Sequence, residues 1–101
     1  MTNVRAYITG MGLITPLGKT VEETQCAILE GQRGFKRISI FPTPGDDAFL
    51  VGEIGGLPKG NGLPRTHILA RIAAEEAMTG SEKPPGAIIV GTTTGGMAET
   101  E

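Results

Sequence analysis

A glycine-rich segment near the amino terminus, residues 7–18, constrains the fold of this chain more than any other stretch. Its sequence is YITGMGLITPLG, so an alternating strand-like pattern runs into Gly10 and Gly12 and then into a Pro-Leu-Gly turn. Glycines at this spacing indicate a backbone that turns sharply or lies against a surface with no room for a side chain. A strand, a glycine turn and a helix start in succession also build phosphate-binding sites, which raises two nucleotide-binding hypotheses.

The hydrophobic pattern predicts three strands. Residues 4–9 alternate in side-chain character, residues 49–54 form a second predicted strand, and residues 87–90 (AIIV) are a continuous apolar run. Such a run is typical of a strand covered on both faces of a parallel sheet. Helical patterns separate the three strands, so the order is β-α-β-α-β, which predicts an α/β protein with a mainly parallel sheet and helices on its faces.

Two helices are predicted between these strands. The first, over about residues 20–30, begins with Thr20 and Glu23 in a capping box and ends at Gly31. The second runs from residue 65 or 66 to residue 78. The side chains predicted to form the apolar stripes are Val21, Thr24 and Ile28 in the first helix, and Leu69, Ile72, Ala73 and Ala77 in the second.

Composition excludes several classes of protein. The 101 residues correspond to one small domain or to part of a larger one, and the net charge of −2 lacks the basic character of a dedicated nucleic-acid binder. The apolar runs are far shorter than a membrane span, so no membrane association is expected. The single cysteine rules out an internal disulfide, and we expect a cytoplasmic protein.

The spacing in the glycine-rich segment matches neither nucleotide-binding motif. A P-loop needs glycine, four residues and then Gly-Lys-Ser/Thr. Residues 18–20 are Gly-Lys-Thr, but Leu13 stands where the first glycine belongs, and Pro16 removes an N–H that would hold phosphate. A dinucleotide fingerprint fails because its third glycine position is Thr15. A P-loop-like nucleotide-binding domain is therefore kept only as a third interpretation.

Three other candidates for chemistry have simple structural explanations. Cys26 lies inside the first predicted helix, away from the N-terminus that would activate a thiol, so we expect it to be a packing or helix-face residue. His67 has no second His or Cys at ligand spacing, and we predict no metal site. Residues 91–96 (GTTTGG) follow the third strand, where ligands bind in open α/β sheets, or they form a tight turn that caps the next helix.

Together the motifs resemble the amino-terminal part of the β-ketoacyl-acyl-carrier-protein synthases, most closely the elongating synthase II type. The resemblance begins with ITGMG at residues 8–12, TPLG at 15–18, TVEE at 20–23 and GQRG at 31–34. It continues with VGEI at residues 51–54, the alanine-rich helix 68–78 and IIVGTTTGGM at residues 88–97.

The resemblance implies a thiolase-like fold, of which residues 1–101 would be an incomplete amino-terminal part with a partial three-layer α/β/α arrangement. Synthases of this family join an acyl group held on an enzyme cysteine to a malonyl unit held on acyl carrier protein, and decarboxylation drives the step. The family's catalytic cysteine and two histidines have no counterpart here. We therefore expect no catalytic residue, no cofactor and no condensation by this chain alone.

The resemblance also implies partners and site residues. Thr94 falls at the position that gates the acyl-chain pocket, and Lys59 and Arg65 are candidate contacts for the acidic carrier protein. The implied partners are acyl carrier protein, in its acyl and malonyl forms, and a second subunit of a homodimer. We expect a chain limited to these residues to pair its exposed strand edges with a second copy. Fatty acid and polyketide pathways both stay open, and the second interpretation is a non-catalytic synthase remnant that acts as an interaction module.

Overall fold

The computed structural model describes residues 3–39, 42, 50–58 and 62–93. Within these residues the elements are α1 (Val21–Leu29), β1 (Lys36–Arg37), β2 (Leu50–Val51) and α2 (Arg65–Ala77). The protein is therefore an α/β protein, as predicted. Both predicted helices are confirmed, with ends that differ by about one residue.

Helix α1 begins at the predicted cap. The Thr20 hydroxyl accepts a hydrogen bond from the Glu23 N–H at 3.0 Å, which satisfies one of the free amides of the first turn. The Glu23 carboxylate accepts from the N–H of Lys19 at 2.8 Å, one residue before the cap. Gly31 follows the helix with φ +75°, a conformation that favours glycine, and so ends it as predicted.

Helix α2 begins after Pro64, which caps it without a side-chain hydrogen bond. The Pro64 carbonyl accepts hydrogen bonds from the N–H groups of His67 and Ile68, at 3.0 Å and 3.2 Å. Arg71 and Glu75 form an i,i+4 ion pair at 2.9 Å on the exposed side of the helix. Gly80, at φ +85°, lies in the turn that follows the helix.

The sheet differs from the prediction. Its two strands are antiparallel, with Lys36 opposite Val51 and Arg37 opposite Leu50. Of the described residues of the second predicted strand, only Leu50–Val51 form a strand. Their partner comes from the region predicted to be connecting chain. The hydrophobic period predicts where a strand can form, but the partner is chosen by which backbone lies within hydrogen-bonding distance.

The first and third predicted strands are not assigned as strands in the described part of the chain. We call residues 4–9 the amino-terminal segment and residues 87–90 the apolar segment. Both are open to solvent, with Ile8 83% and Ile89 97% exposed. A strand is stable only when a neighbouring strand satisfies its backbone N–H and C=O groups, so sequence pattern alone does not make one.

The core of the described structure is small. In α1, Thr24 and Ala27 are buried, whereas Ile28 is 60% exposed, so the predicted stripe is right for Thr24 and wrong for Ile28. The radius of gyration is 17.1 Å, against about 13 Å for a compact domain of this length. Much apolar surface is therefore exposed to solvent.

Helices in the described region are too short or too polar to cross a bilayer.

Candidate functional site

The glycine-rich segment lies directly on the backbone of α2. A Cβ atom added at Gly12 would overlap the carbonyl of Ala73 and would stand 2.7 Å from the Ala77 nitrogen. A Cβ at Gly10 would overlap the carbonyl of Ala77. Only glycine allows this approach of chain to helix. Of the two predicted explanations for these glycines, the structure therefore supports close contact with a surface.

A single carboxylate joins the glycine-rich segment to both helices. Glu76 of α2 accepts hydrogen bonds from the Leu13 N–H at 2.8 Å and from the Val21 N–H at 2.9 Å. Val21 is the first residue of α1, where the helix dipole favours negative charge. Glu76 thus holds the start of α1 against the end of α2.

Sequence reasoning missed the role of Glu76. One signal was present, because Glu76 lies in the last turn of α2, where the helix dipole disfavours a carboxylate. A carboxylate in this unfavourable position suggests that hydrogen-bond donors from another part of the fold stabilise it. The identity of that partner depends on tertiary contacts 55 to 63 residues away in sequence.

The turn before α1 is closed by its own side chains. The Thr15 hydroxyl accepts from the Leu17 N–H at 3.1 Å and the Gly18 N–H at 3.2 Å. It also shares a hydrogen bond of 3.0 Å with the Thr24 hydroxyl. Thr15 therefore fixes the turn that leads into the helix and ties it to the buried face of α1.

This bonding argues against phosphate binding at residues 18–20. A phosphate cradle needs free backbone N–H groups and a lysine that reaches the anion. Here the Lys19 N–H donates to Glu23, the Val21 N–H donates to Glu76, and the Lys19 ammonium donates to the Gly56 carbonyl at 2.8 Å. The carboxylates of Glu23 and Glu76 thus accept the N–H groups that a bound phosphate would need.

The start of the predicted ligand-binding turn, residues 91–96, borders a cavity of about 310 Å³ beside α2. Gly91 and Thr92 line it together with Thr66 and His67 of the helix. The hydroxyl oxygen of Thr66 is buried and has no hydrogen-bond partner. The structure thus brings the first part of this turn to the amino-terminal half of α2, and the rest of the turn lies outside the described residues.

A buried carboxylate links the region around β1 to the chain that follows β2. Glu53 accepts a hydrogen bond from the Ser39 hydroxyl at 2.6 Å and forms an ion pair of 3.2 Å with Lys36. The Ser39 hydroxyl, and after it the Lys36 ammonium, hold the pKa of Glu53 below its usual range against the opposing effect of burial. Glu53 therefore serves as a structural anchor for this part of the chain.

The structure describes one of the three predicted site residues. Thr94 and Lys59 lie outside the described residues. Arg65 is the first residue of α2, and its guanidinium donates a hydrogen bond to the Ile54 carbonyl. Cys26 lies on an exposed face of α1. No group of three or more metal-ligating side chains occurs in the part of the chain that the structure describes.

Comparison with known proteins finds partial sequence similarity to 3-oxoacyl-[acyl-carrier-protein] synthases 2. The chain is 38% identical over 56 residues to 3-oxoacyl-[acyl-carrier-protein] synthase 2 of Vibrio cholerae serotype O1, which covers 55% of this chain and 14% of that protein. It is 46% identical over 41 residues to the protein of the same name from Vibrio harveyi, covering 41% of this chain and 10% of that protein. The aligned part is thus a small share of the curated relatives. No family model matches the chain, and no solved structure matches it.

Proposed function

We propose that this chain is an amino-terminal segment of a β-ketoacyl-acyl-carrier-protein synthase, the enzyme that extends an acyl chain by decarboxylative condensation. The observation that carries the proposal is the 38% identity over 56 residues to a 3-oxoacyl-[acyl-carrier-protein] synthase 2. The motifs that resemble the family agree with it. The proposed fold of the whole enzyme is thiolase-like.

In this proposal the segment has a structural and binding role. The nucleophilic cysteine and the two histidines belong to other parts of the synthase, since Cys26 is on an exposed helix face and His67 is the single histidine. The glycine-rich segment, held between α1 and α2 by Glu76, supports the α/β layer that would carry the reacting groups. The isolated chain would then bring about no condensation.

The substrate contacts follow from the same resemblance. Thr94 would border the acyl chain, and Lys59 and Arg65 would face the acidic carrier protein. The Arg65 guanidinium already donates one hydrogen bond to the Ile54 carbonyl. Only its remaining N–H groups would be available to bind a carboxylate of the carrier protein. A homodimer is part of the proposal because the family resemblance implies one.

A chimera tests the proposal. Residues 1–101 would replace the matching amino-terminal part of the Vibrio cholerae synthase 2, and condensation of acyl and malonyl carrier protein would be measured. We expect the chimera to condense and the isolated chain to be inactive. A folded, dimeric chimera without condensation would contradict the proposal and favour the non-catalytic remnant.

Two variants of that chimera examine the predicted contacts. Thr94→Phe should shift the preference toward shorter acyl chains, because a bulky side chain at a pocket gate blocks long ones. Lys59→Glu should raise KM for the carrier protein with little change in kcat, because a surface charge steers an acidic partner. Unchanged chain-length preference and unchanged KM would remove these residues from the site.

A further inference from the structure

We propose that Ser39 is a phosphorylation site for a serine kinase that selects basic residues upstream of its target. A phosphate at this position displaces the Glu53 carboxylate and opens the pairing of β1 with β2. The proposal goes beyond the proposed function and does not depend on it. Three observations support it: the basic residues that precede Ser39, the exposure of this region, and the direct hydrogen bonds between Ser39 and Glu53.

Ser39 follows a short basic stretch of the sequence. Lys36 stands three residues before it and Arg37 two residues before it. No other serine or threonine in the sequence has a basic residue at both of these positions. Kinases select substrates by charge patterns of this kind, because acidic residues of the kinase attract the basic side chains near the target hydroxyl. The pattern therefore separates Ser39 from the other hydroxyl residues of the chain.

The same residues are accessible in the folded protein. Lys36 and Arg37 form β1, and both are exposed on its extended backbone. Ser39, two residues beyond the strand, is exposed as well. The pairing of β1 with β2 covers only two residues of each strand, and so short a pairing opens at low cost in free energy. A kinase can therefore bind residues 36–39 without unfolding either helix.

The transfer uses a nucleoside triphosphate as the phosphoryl donor. The Ser39 oxygen forms a bond to the γ-phosphorus of ATP, the bond from that phosphorus to the β,γ-bridging oxygen breaks, and ADP leaves with the electron pair. The hydroxyl proton passes to the catalytic carboxylate of the kinase. The neutral hydroxyl is thereby replaced by a group that carries a charge of about −1.5 to −2 at neutral pH.

A phosphate on Ser39 is incompatible with the present contacts of Glu53. The Ser39 hydroxyl donates to one oxygen of the Glu53 carboxylate at 2.6 Å, and the Ser39 N–H donates to the other at 3.4 Å. Phosphorylation removes the hydroxyl proton and puts an anion against a carboxylate whose side chain is only 4% exposed. Like charges at this distance repel strongly where water is excluded, so the two groups must separate.

Lys36 is the cation for which the two anions would compete. Its ammonium lies 3.2 Å from the Glu53 carboxylate, and its side chain is 52% exposed. A phosphate on the exposed Ser39 offers this ammonium a partner of higher charge and three acceptor oxygens. Glu53 then loses a hydrogen-bond donor and its ion-pair partner together, which releases β1 from the chain that follows β2.

Phosphorylation of the full 101-residue chain tests the site. The chain would be incubated with a purified basophilic serine kinase, Mg²⁺ and radiolabelled ATP, and mass spectrometry would locate the phosphate. We expect one phosphate, at Ser39, and Ser39→Ala should abolish its incorporation. Ser81→Ala is the matched control, because Ser81 is the other serine of the chain, is also exposed, and follows no basic residue at the two selected positions.

The dependence on charge is tested by Arg37→Gln. This variant removes one of the two basic charges and should slow incorporation at least about tenfold, the effect of about 1.4 kcal/mol. Circular dichroism would show that α1 and α2 are retained. A folded chain that accepts no phosphate, equal incorporation at Ser81, or an unchanged rate in Arg37→Gln would overturn the proposal.

Hydrogen exchange of the phosphorylated chain tests the structural consequence. Amides of β1 and β2 should exchange at least about tenfold faster than in the unmodified chain, while those of α1 stay unchanged. Ser39→Ala should accelerate exchange less, because it removes the hydroxyl without adding charge. In Glu53→Gln the phosphate should add little further acceleration, because a neutral amide does not repel it. Unchanged exchange at β1, or equal acceleration by phosphate in Glu53→Gln and in the wild type, would overturn the displacement of Glu53.

Discussion

Removal of the Glu76 carboxylate should loosen the junction between the two helices. Glu76→Ala deletes the acceptor for the N–H groups of Leu13 and Val21, at 2.8 Å and 2.9 Å. A hydrogen bond to a charged group contributes about 1.5–3 kcal/mol, and negative charge at a helix N-terminus adds about 0.3–1 kcal/mol. The two bonds and the helix-terminus effect together amount to about 3–7 kcal/mol. Because Glu76 is only half-buried and water can replace part of this bonding in the variant, we expect a smaller loss, about 2–4 kcal/mol.

Amide hydrogen exchange followed by NMR measures this directly. A loss of 2–4 kcal/mol corresponds to about 30-fold to several-hundred-fold faster exchange at Val21 and Leu13. Glu76→Gln should lie between the wild type and Glu76→Ala, since its amide oxygen still accepts but carries no charge.

Glu75→Gln is the matched control for the same measurement. Its side chain is 65% exposed, and its carboxylate pairs only with Arg71 among the contacts described, so its loss should cost less than about 1 kcal/mol. If Glu76→Ala leaves the exchange at Val21 unchanged, or Glu75→Gln accelerates it equally, the assigned role of Glu76 is refuted.

Three other predictions concern Gly12, the Glu53 carboxylate and the P-loop interpretation. Gly12→Ala should destabilise the protein by about 1–3 kcal/mol or more in thermal unfolding because its Cβ overlaps the α2 backbone, whereas Gly86→Ala, with open space around it, should change little. The ionised form of Glu53 stabilises the region around β1, because the pKa of Glu53 in the folded protein lies below its ordinary value of 4.5. Amides around β1 should therefore lose protection from exchange as the pH falls below 4.5 and through the lowered pKa. Glu53→Gln should abolish that pH dependence, and persistence of the same pH profile would assign it to another group. Titration with Mg-ATP should give no heat of binding, and measurable heat would restore the P-loop interpretation.

The helices were predictable because their signals are local. Thr20 and Gly31 mark the two ends of α1 through hydrogen bonding and backbone conformation that involve neighbouring residues only. The i,i+4 ion pair of Arg71 and Glu75 is local in the same sense.

The strands were less predictable because pairing is not local. The alternation at residues 4–9 and the apolar run at residues 87–90 predict strands, yet neither is assigned as one in the described structure. The observed pairing joins Arg37 to Leu50, and the sequence has no period that marks residues 36–37 as a strand. The anchoring by Glu53 and Glu76 was likewise beyond sequence reasoning, because each carboxylate meets partners 14 or more residues away.

The sequence by itself determined the helix ends, the need for glycine at residues 10 and 12, and the failure of the P-loop spacing at Leu13. Each depends on interactions within a few residues or on the intrinsic conformational freedom of one residue type. The tertiary structure alone decided what those glycines lie against, which is α2, and which side chain joins them to α1, which is Glu76. The physical reason is that close backbone contact and long-range hydrogen bonds depend on the three-dimensional path of the whole chain.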